Sequence, residues 1–200
     1  DIVNKKFVFI PHGVVKDDVR IYLNRELIMP DLITTSLNRE YEYLSGEDYM
    51  YEKGMVIKTG LSRFDKLKSD AEKVILISPT WRNYGQDFIF EESDYYKTYI
   101  KLLKNKKLDE LLKENGFKLK FLLHPVFLPH IKLFEECETD NIKIIDSKNN
   151  RYCDLFNECS MLITDYSSIY FDVAKMKKPI IFYQFDREFF FNNHYSQSFF

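Results

Sequence analysis

The chain has 200 residues, 45% hydrophobic, with formal net charge −2 and three cysteines. That length suits one large domain or two small ones and a sizeable buried core. The near-neutral balance gives no global electrostatic case for nucleic acid, and no apolar run approaches the roughly 20 residues a membrane helix needs. Cys137, Cys153 and Cys159 are odd in number and form no CxxC pair, which points to a reduced, cytoplasmic protein. The opening Asp1-Ile2-Val3-Asn4 has neither a basic stretch nor an apolar one of the kind a signal peptide carries, and the sequence reads as beginning inside a longer protein.

In chain order, short apolar runs recur at Phe7–Ile10, Leu32–Thr35, Met55–Lys58, Val74–Ser78, Leu119–Leu123, Ile142–Ile145, Met161–Thr164 and Ile180–Tyr183. Several are apolar throughout, as strands buried on both faces of a parallel sheet are. Between them lie helical patterns. One helix is predicted over Tyr95–Asn115, stopped by Gly116, and another over Ile169–Met176, ending before Pro179. Glu91 to Asp94 reads as a solvated loop before the first of these. Strands alternating with helices predict an α/β fold with a Rossmann-like, doubly wound parallel sheet.

Ligands of such sheets bind beyond the carboxyl ends of the strands. Polar residues gather there repeatedly: Pro11-His12-Gly13 through Lys16-Asp17 after the first run, Thr59-Gly60-Leu61-Ser62-Arg63 after the third, Pro79-Thr80-Trp81-Arg82 after the fourth, His124-Pro125 after the fifth and Thr164-Asp165-Tyr166-Ser167-Ser168 after the seventh. A helix start presents free amides and a positive dipole end, a ready site for phosphate, and Ser167 and Ser168 add hydroxyl donors. Asp165 fits as a cap. His12 suits a general base, His124 a donor to a phosphate oxygen, and the Arg82 fork a phosphate; Lys16 and Arg63 are weaker candidates of the same kind. His130 and His194 carry no assignment, and Phe189 to Phe191 read as packing. The basic runs Lys104–Lys107 and Lys175–Lys178 read as solvated faces. No GxGxxG, P-loop, HExxH or GxSxG string occurs.

The ordered strings HGVVKDD, TGLSRFD, ISPTWR, LLHP and LITDYSSIYFDVAKMKKPIIFY resemble the CDP-glycerol glycerophosphotransferases, the polyol-phosphate transferases of teichoic acid and capsule biosynthesis. The resemblance runs from Phe7 to Asp186 and departs from the family pattern at Ser62, where many members have proline. It implies a GT-B fold truncated at both ends, with residues 1–60 closing an acceptor-side domain and 61–200 forming an incomplete donor-binding domain. It further implies transfer of glycerol phosphate, or a related polyol phosphate, from a CDP-activated donor to a membrane-linked saccharide or polymer, with release of CMP. His12 and His124 would be catalytic. Arg63, Thr80, Arg82, Thr164, Ser167, Ser168 and Asp172 would face donor or phosphate, with Lys16 and Asp165 as further candidates. No cofactor and no metal is expected, nucleic acid is not a partner, and the full-length protein is expected at the inner face of the bacterial membrane. A nucleotide-sugar glycosyltransferase, a nucleotide-sugar epimerase and a non-catalytic nucleotide-binding domain are the alternatives. His12, Arg82, His124 and Ser168 are expected to share one rim.

Overall fold

The computed structural model describes residues 5–68 and 71–194, so the opening four residues lie outside it. The chain divides into two compact units, one ending at Asp65 and one running from Lys66 to His194.

The first unit contains β1 (Val8–Phe9), α1 (Arg20–Leu23), α2 (Arg25–Ile28), β2 (Leu32–Thr35), α3 (Asn38–Leu44) and β3 (Val56–Lys58). The three strands form a parallel sheet in the order β1-β2-β3, with Val8 opposite Leu32 and Ile33 opposite Val56. Its core gathers Val15, Ile33, Leu44, Tyr49, Tyr51 and Val56. After β3 the chain must reverse. Both Thr59 and Gly60 amides donate to the Thr35 carbonyl at 3.0 Å, which requires φ of +84° at Gly60, a value glycine adopts without a Cβ penalty.

The second unit contains β4 (Val74–Ile77), α4 (Asp94–Leu103), α5 (Lys106–Asn115), β5 (Lys118–Leu123), α6 (Ile131–Glu135), β6 (Ile142–Asp146), α7 (Tyr152–Glu158), β7 (Met161–Thr164), α8 (Tyr170–Lys175), β8 (Ile180–Phe182) and α9 (Arg187–Asn193). Its five strands are all parallel, in the order β6-β5-β4-β7-β8. The two-residue period of a strand sends alternate side chains to opposite faces. Ile77 with Leu119, Phe121 and Leu123 packs under α4, α5 and α6, while Val74, Leu76 and Leu122 pack under α7 and α8. Covering both faces is what demands strands apolar throughout. Lys120, a cation inside β5, ion-pairs with Glu158 at the end of α7 at 2.5 Å.

The single helix expected over Tyr95–Asn115 is two. Helix α4 ends at Leu103, and the Asn105 side chain starts α5 by accepting from the Leu108 amide at 3.2 Å. The break lets Tyr95, Tyr99 and Leu103, spaced by four, and Leu112 on the second helix all reach one core. Gly116 closes α5 in the left-handed region at φ +68°, as its sequence position suggests. The loop expected before α4 is a short 3-10 turn (Phe90–Glu92) followed by buried Ser93, whose hydroxyl caps α4 by accepting from the Tyr96 amide at 3.1 Å. Lys178, expected on a solvated face, instead donates to the Phe156 and Asn157 carbonyls at 2.7 Å and ties the end of α8 to that of α7.

Candidate functional site

In the second unit the chain builds outward from β4 to β5 and β6, then crosses back to place β7 and β8 on the other side of β4. The topological switch point therefore lies at the carboxyl ends of β4 and β7, where open α/β sheets bind ligands. Adjacent strands sit roughly 4.8 Å apart, so the loops leaving β5, β4 and β7 emerge side by side. They carry His124, then Ser78 to Arg82, then Asp165 to Ser168.

Asp165 organises this edge. Its Oδ1 accepts from the Thr80 amide at 2.8 Å and from the Tyr166 amide at 2.6 Å, and its Oδ2 accepts from Arg82 at 2.8 Å. Arg82 also donates to both Asp186 oxygens, at 2.6 and 3.1 Å, and to the Thr80 and Trp81 carbonyls, at 2.6 and 3.4 Å. Rings of Tyr95, Tyr166, Phe185 and Phe190 surround the guanidinium. Burial works against its charge, but Asp165 and Asp186 outweigh that and raise its pKa further above its ordinary value.

This corrects the expectation that Arg82 presents an open fork to phosphate. An arginine has five N–H groups, and five bonds within the protein engage this one, whose side chain is fully buried. Thr164 and Asp172 are likewise inside, each 1% exposed. The Thr164 hydroxyl donates to the Ser78 carbonyl at 2.7 Å and stitches β7 to the end of β4. Asp172 offers no surface to a ligand.

Four expected residues at this edge are not fully buried. Thr80 is partly exposed as a residue, but its Oγ1 is buried and has no hydrogen-bond partner among the described residues. Ser167 and Ser168 are partly exposed on the turn before α8. The amides of Ile169, Tyr170 and Phe171 are already engaged by Ser167 and Ser168. Among the described residues the Ser167 and Ser168 amides meet no protein acceptor, so the available backbone donors precede the cap of α8.

His124, the fourth, follows β5, and its Nδ1 accepts from the Val126 amide at 3.3 Å. That bond leaves Nε2 to carry the proton of the neutral ring. Desolvation lowers the pKa of His124 below its ordinary value, partly opposed by Asp165, so at neutral pH the ring is an uncharged donor.

A chain of rings reaches the same edge. Tyr166 stacks on Phe190 at 3.9 Å, Phe190 on His194 at 4.8 Å, and His194 meets Trp81 at 4.4 Å. His194, unassigned from sequence, thereby lies beside Trp81, and His130 stacks on Phe90 at 4.1 Å in the core.

The first unit holds the other candidates. His12 is exposed while its neighbours Pro11 and Gly13 are buried. Arg63, expected at phosphate, donates through Nη1 to the His12 carbonyl and braces that loop. Lys16 is buried and ion-paired with Asp17 at 2.7 Å, an internal contact rather than a ligand contact. Glu40, which sequence reasoning passed over, is fully buried. Its Oε1 accepts from the Val15 amide at 2.8 Å, and its Oε2 from the Ser36 amide and hydroxyl, at 2.6 and 2.9 Å, and the Leu37 amide at 3.3 Å. The one available signal was its place at the third helical position of α3, where a glutamate reaches back to its own helix start; its reach to Val15, 25 residues away, has no local signature.

The sequence profile of the family described as CDP-Glycerol:Poly(glycerophosphate) glycerophosphotransferase matches residues 22–195. The minor teichoic acid biosynthesis protein GgaB of Bacillus subtilis is 34% identical over 98% of this chain, which covers 23% of that protein. A teichoic acid poly(glycerol phosphate) polymerase of Bacillus spizizenii is 35% identical over 61% of the chain, which covers 29% of that protein. Thus the chain spans under a third of the length of these relatives. In fold it is similar to the wall teichoic acid polymerase TagF, with TM-score 0.65 and 21% identity over 98% of this chain and 54% of that one. The Staphylococcus aureus MnaA–UDP structure is a more distant likeness, with TM-score 0.53 and 17% identity over 84% of this chain and 48% of that one. Parallel-sheet units with polar strand ends, the five ordered motifs and the family profile agree: the chain belongs to the CDP-glycerol:poly(glycerophosphate) glycerophosphotransferase family.

Proposed function

We propose that the protein transfers glycerol phosphate, or a related polyol phosphate, from a CDP-activated donor to a hydroxyl of a membrane-linked saccharide or teichoic polymer, releasing CMP. The observation that carries this reading is the edge formed by β5, β4 and β7, where three adjacent strand ends release His124, Thr80 and the Ser167-Ser168 turn. Relatives named as teichoic acid polymerase and glycerol-phosphate primase support the substrate class.

In this reading the second unit holds the donor. The acceptor oxygen attacks the β-phosphorus, the bond from that phosphorus to the bridging oxygen breaks, and CMP leaves with the electron pair. Charge gathers on nonbridging oxygens, and preorganised donors stabilise it. Neutral His124 donates through Nε2, and Ser167 and Ser168 through hydroxyls and amides. His12 takes the proton of the attacking hydroxyl, a contribution of roughly 10² to 10⁴ in rate. The negative charge is met by these donors, so the reading requires no metal. An acceptor carried on lipid places the full-length protein at the inner face of the cell membrane; among the described residues no helix is long and apolar enough to cross one.

The test incubates the full-length protein with CDP-glycerol, CDP-ribitol or UDP-sugars and a lipid-linked acceptor, with and without EDTA. CMP release that persists in EDTA and disappears in His12→Ala is expected. Release of UDP from a sugar donor instead identifies a glycosyltransferase, and CMP release undiminished in His12→Ala removes the base assignment.

A further inference from the structure

We propose that Arg82, Asp165 and Asp186 form a positioning device that sets the donor-facing edge of the second unit before any ligand arrives. The proposal rests on reading that edge as the donor site.

Three loops leave adjacent strands there, and the cluster binds the backbone of two and takes Asp186, the last residue of the third, as a member. Thr80 is held at both ends of its backbone, its amide donating to Asp165 and its carbonyl accepting from Arg82. The turn after β7 is held through the Tyr166 amide on Asp165. The loop after β8 is held through Asp186, which precedes α9 and accepts from Arg82 and from the Tyr166 hydroxyl at 3.2 Å. Gln184 adds a donor to the Asp165 carbonyl at 2.9 Å.

The buried, unpartnered Thr80 hydroxyl and the partly exposed Ser167-Ser168 turn sit within a few residues of these fixed points. Helix α9 in turn carries the stacked rings that end on Trp81. Apolar side chains of the same volume can fill such a site with no loss of stability. They cannot clamp amides from two different strands. An ion cluster with every arginine donor used is therefore better explained by geometry than by stability.

Trp81 is the only tryptophan in the sequence, so its near-ultraviolet circular dichroism and acrylamide quenching report this edge directly. Two variants separate positioning from stability. Asp186→Asn keeps the size of the side chain and weakens one arm of the cluster. The triple variant Arg82→Met, Asp165→Leu, Asp186→Leu replaces the cluster with apolar groups. Each is examined by far-ultraviolet circular dichroism, by the Trp81 signals and by calorimetric titration with CMP.

The expected result is a folded protein with altered Trp81 spectra and CMP affinity reduced at least tenfold, more in the triple variant than in Asp186→Asn. A folded triple variant with native Trp81 spectra and native CMP affinity overturns the proposal. Loss of fold in both variants overturns it as well, because the cluster would then be holding the unit rather than its edge. A wild-type protein that binds no CMP defeats the donor-site reading instead, and the Trp81 spectra of the folded variants then decide the positioning claim alone.

Discussion

Each unit hangs a loop with candidate site residues on a buried carboxylate, and the two carboxylates are satisfied differently. Glu40 in the first unit is met by three amides and a hydroxyl. Asp165 in the second accepts two amides and also recruits a buried arginine, which recruits a second aspartate. The first arrangement fixes the loop of His12 from beneath and leaves the imidazole in solvent. The second consumes a guanidinium that looks, in sequence, like a ligand for phosphate. A buried anion neutralised by dipoles spares nearby cations for other work, whereas one neutralised by a full charge does not.

Breaking the second arrangement is expected to cost most. Asp165→Ala leaves Arg82 buried with only one carboxylate partner, and a broken buried pair of this kind costs about 3–5 kcal/mol, measured as a lowered urea midpoint. A cost near zero would show that water or a side-chain shift rescues the guanidinium. Glu40→Gln keeps the shape of the first arrangement and removes its charge. Charge-assisted bonds contribute more than neutral ones, so a loss of about 2 kcal/mol is expected. Amide exchange should quicken at Val15, Ser36 and Leu37, and unchanged protection there would remove Glu40 from its organising role.

A smaller effect concerns His124. Its folded pKa lies below the ordinary value of 6.5, so the unfolded chain takes the proton first as pH falls. The contribution of neutral His124 is fully present above pH 6.5 and is lost as pH drops through that value toward its folded pKa. The urea midpoint of the wild type should therefore fall more steeply between pH 7.5 and 5.5 than that of His124→Asn; parallel slopes would contradict this. His12→Ala should matter least to folding, within about 0.5 kcal/mol, as exposed positions do. A larger loss would mean that the imbalance between a fixed loop and a free imidazole is not real.

The periodicity of the chain was enough to read the strands, because a strand covered on both faces must be apolar at nearly every position, and Val74–Ile77, Leu119–Leu123 and Met161–Thr164 are. The sequence could nominate His12, Thr80, His124, Ser167 and Ser168, since each lies within three residues of a strand end or in the turn before a helix. The break at Lys104-Asn105 was not, since Lys and Asn continue a polar helix face as readily as they end it. Only the core shared by Tyr99 and Leu112 gives a reason for the interruption there.

Local order in the sequence thus determined which segments are strands, which residues end them and which family they belong to. Whether a polar residue at a strand end faces solvent or the interior was decided in three dimensions. Arg82 meets Asp165 and Asp186 across 83 and 104 residues, and Glu40 meets Val15 across 25. Hydrogen bonding and burial depend on which groups the fold brings within about 3 Å of one another, and no spacing along the chain encodes those meetings.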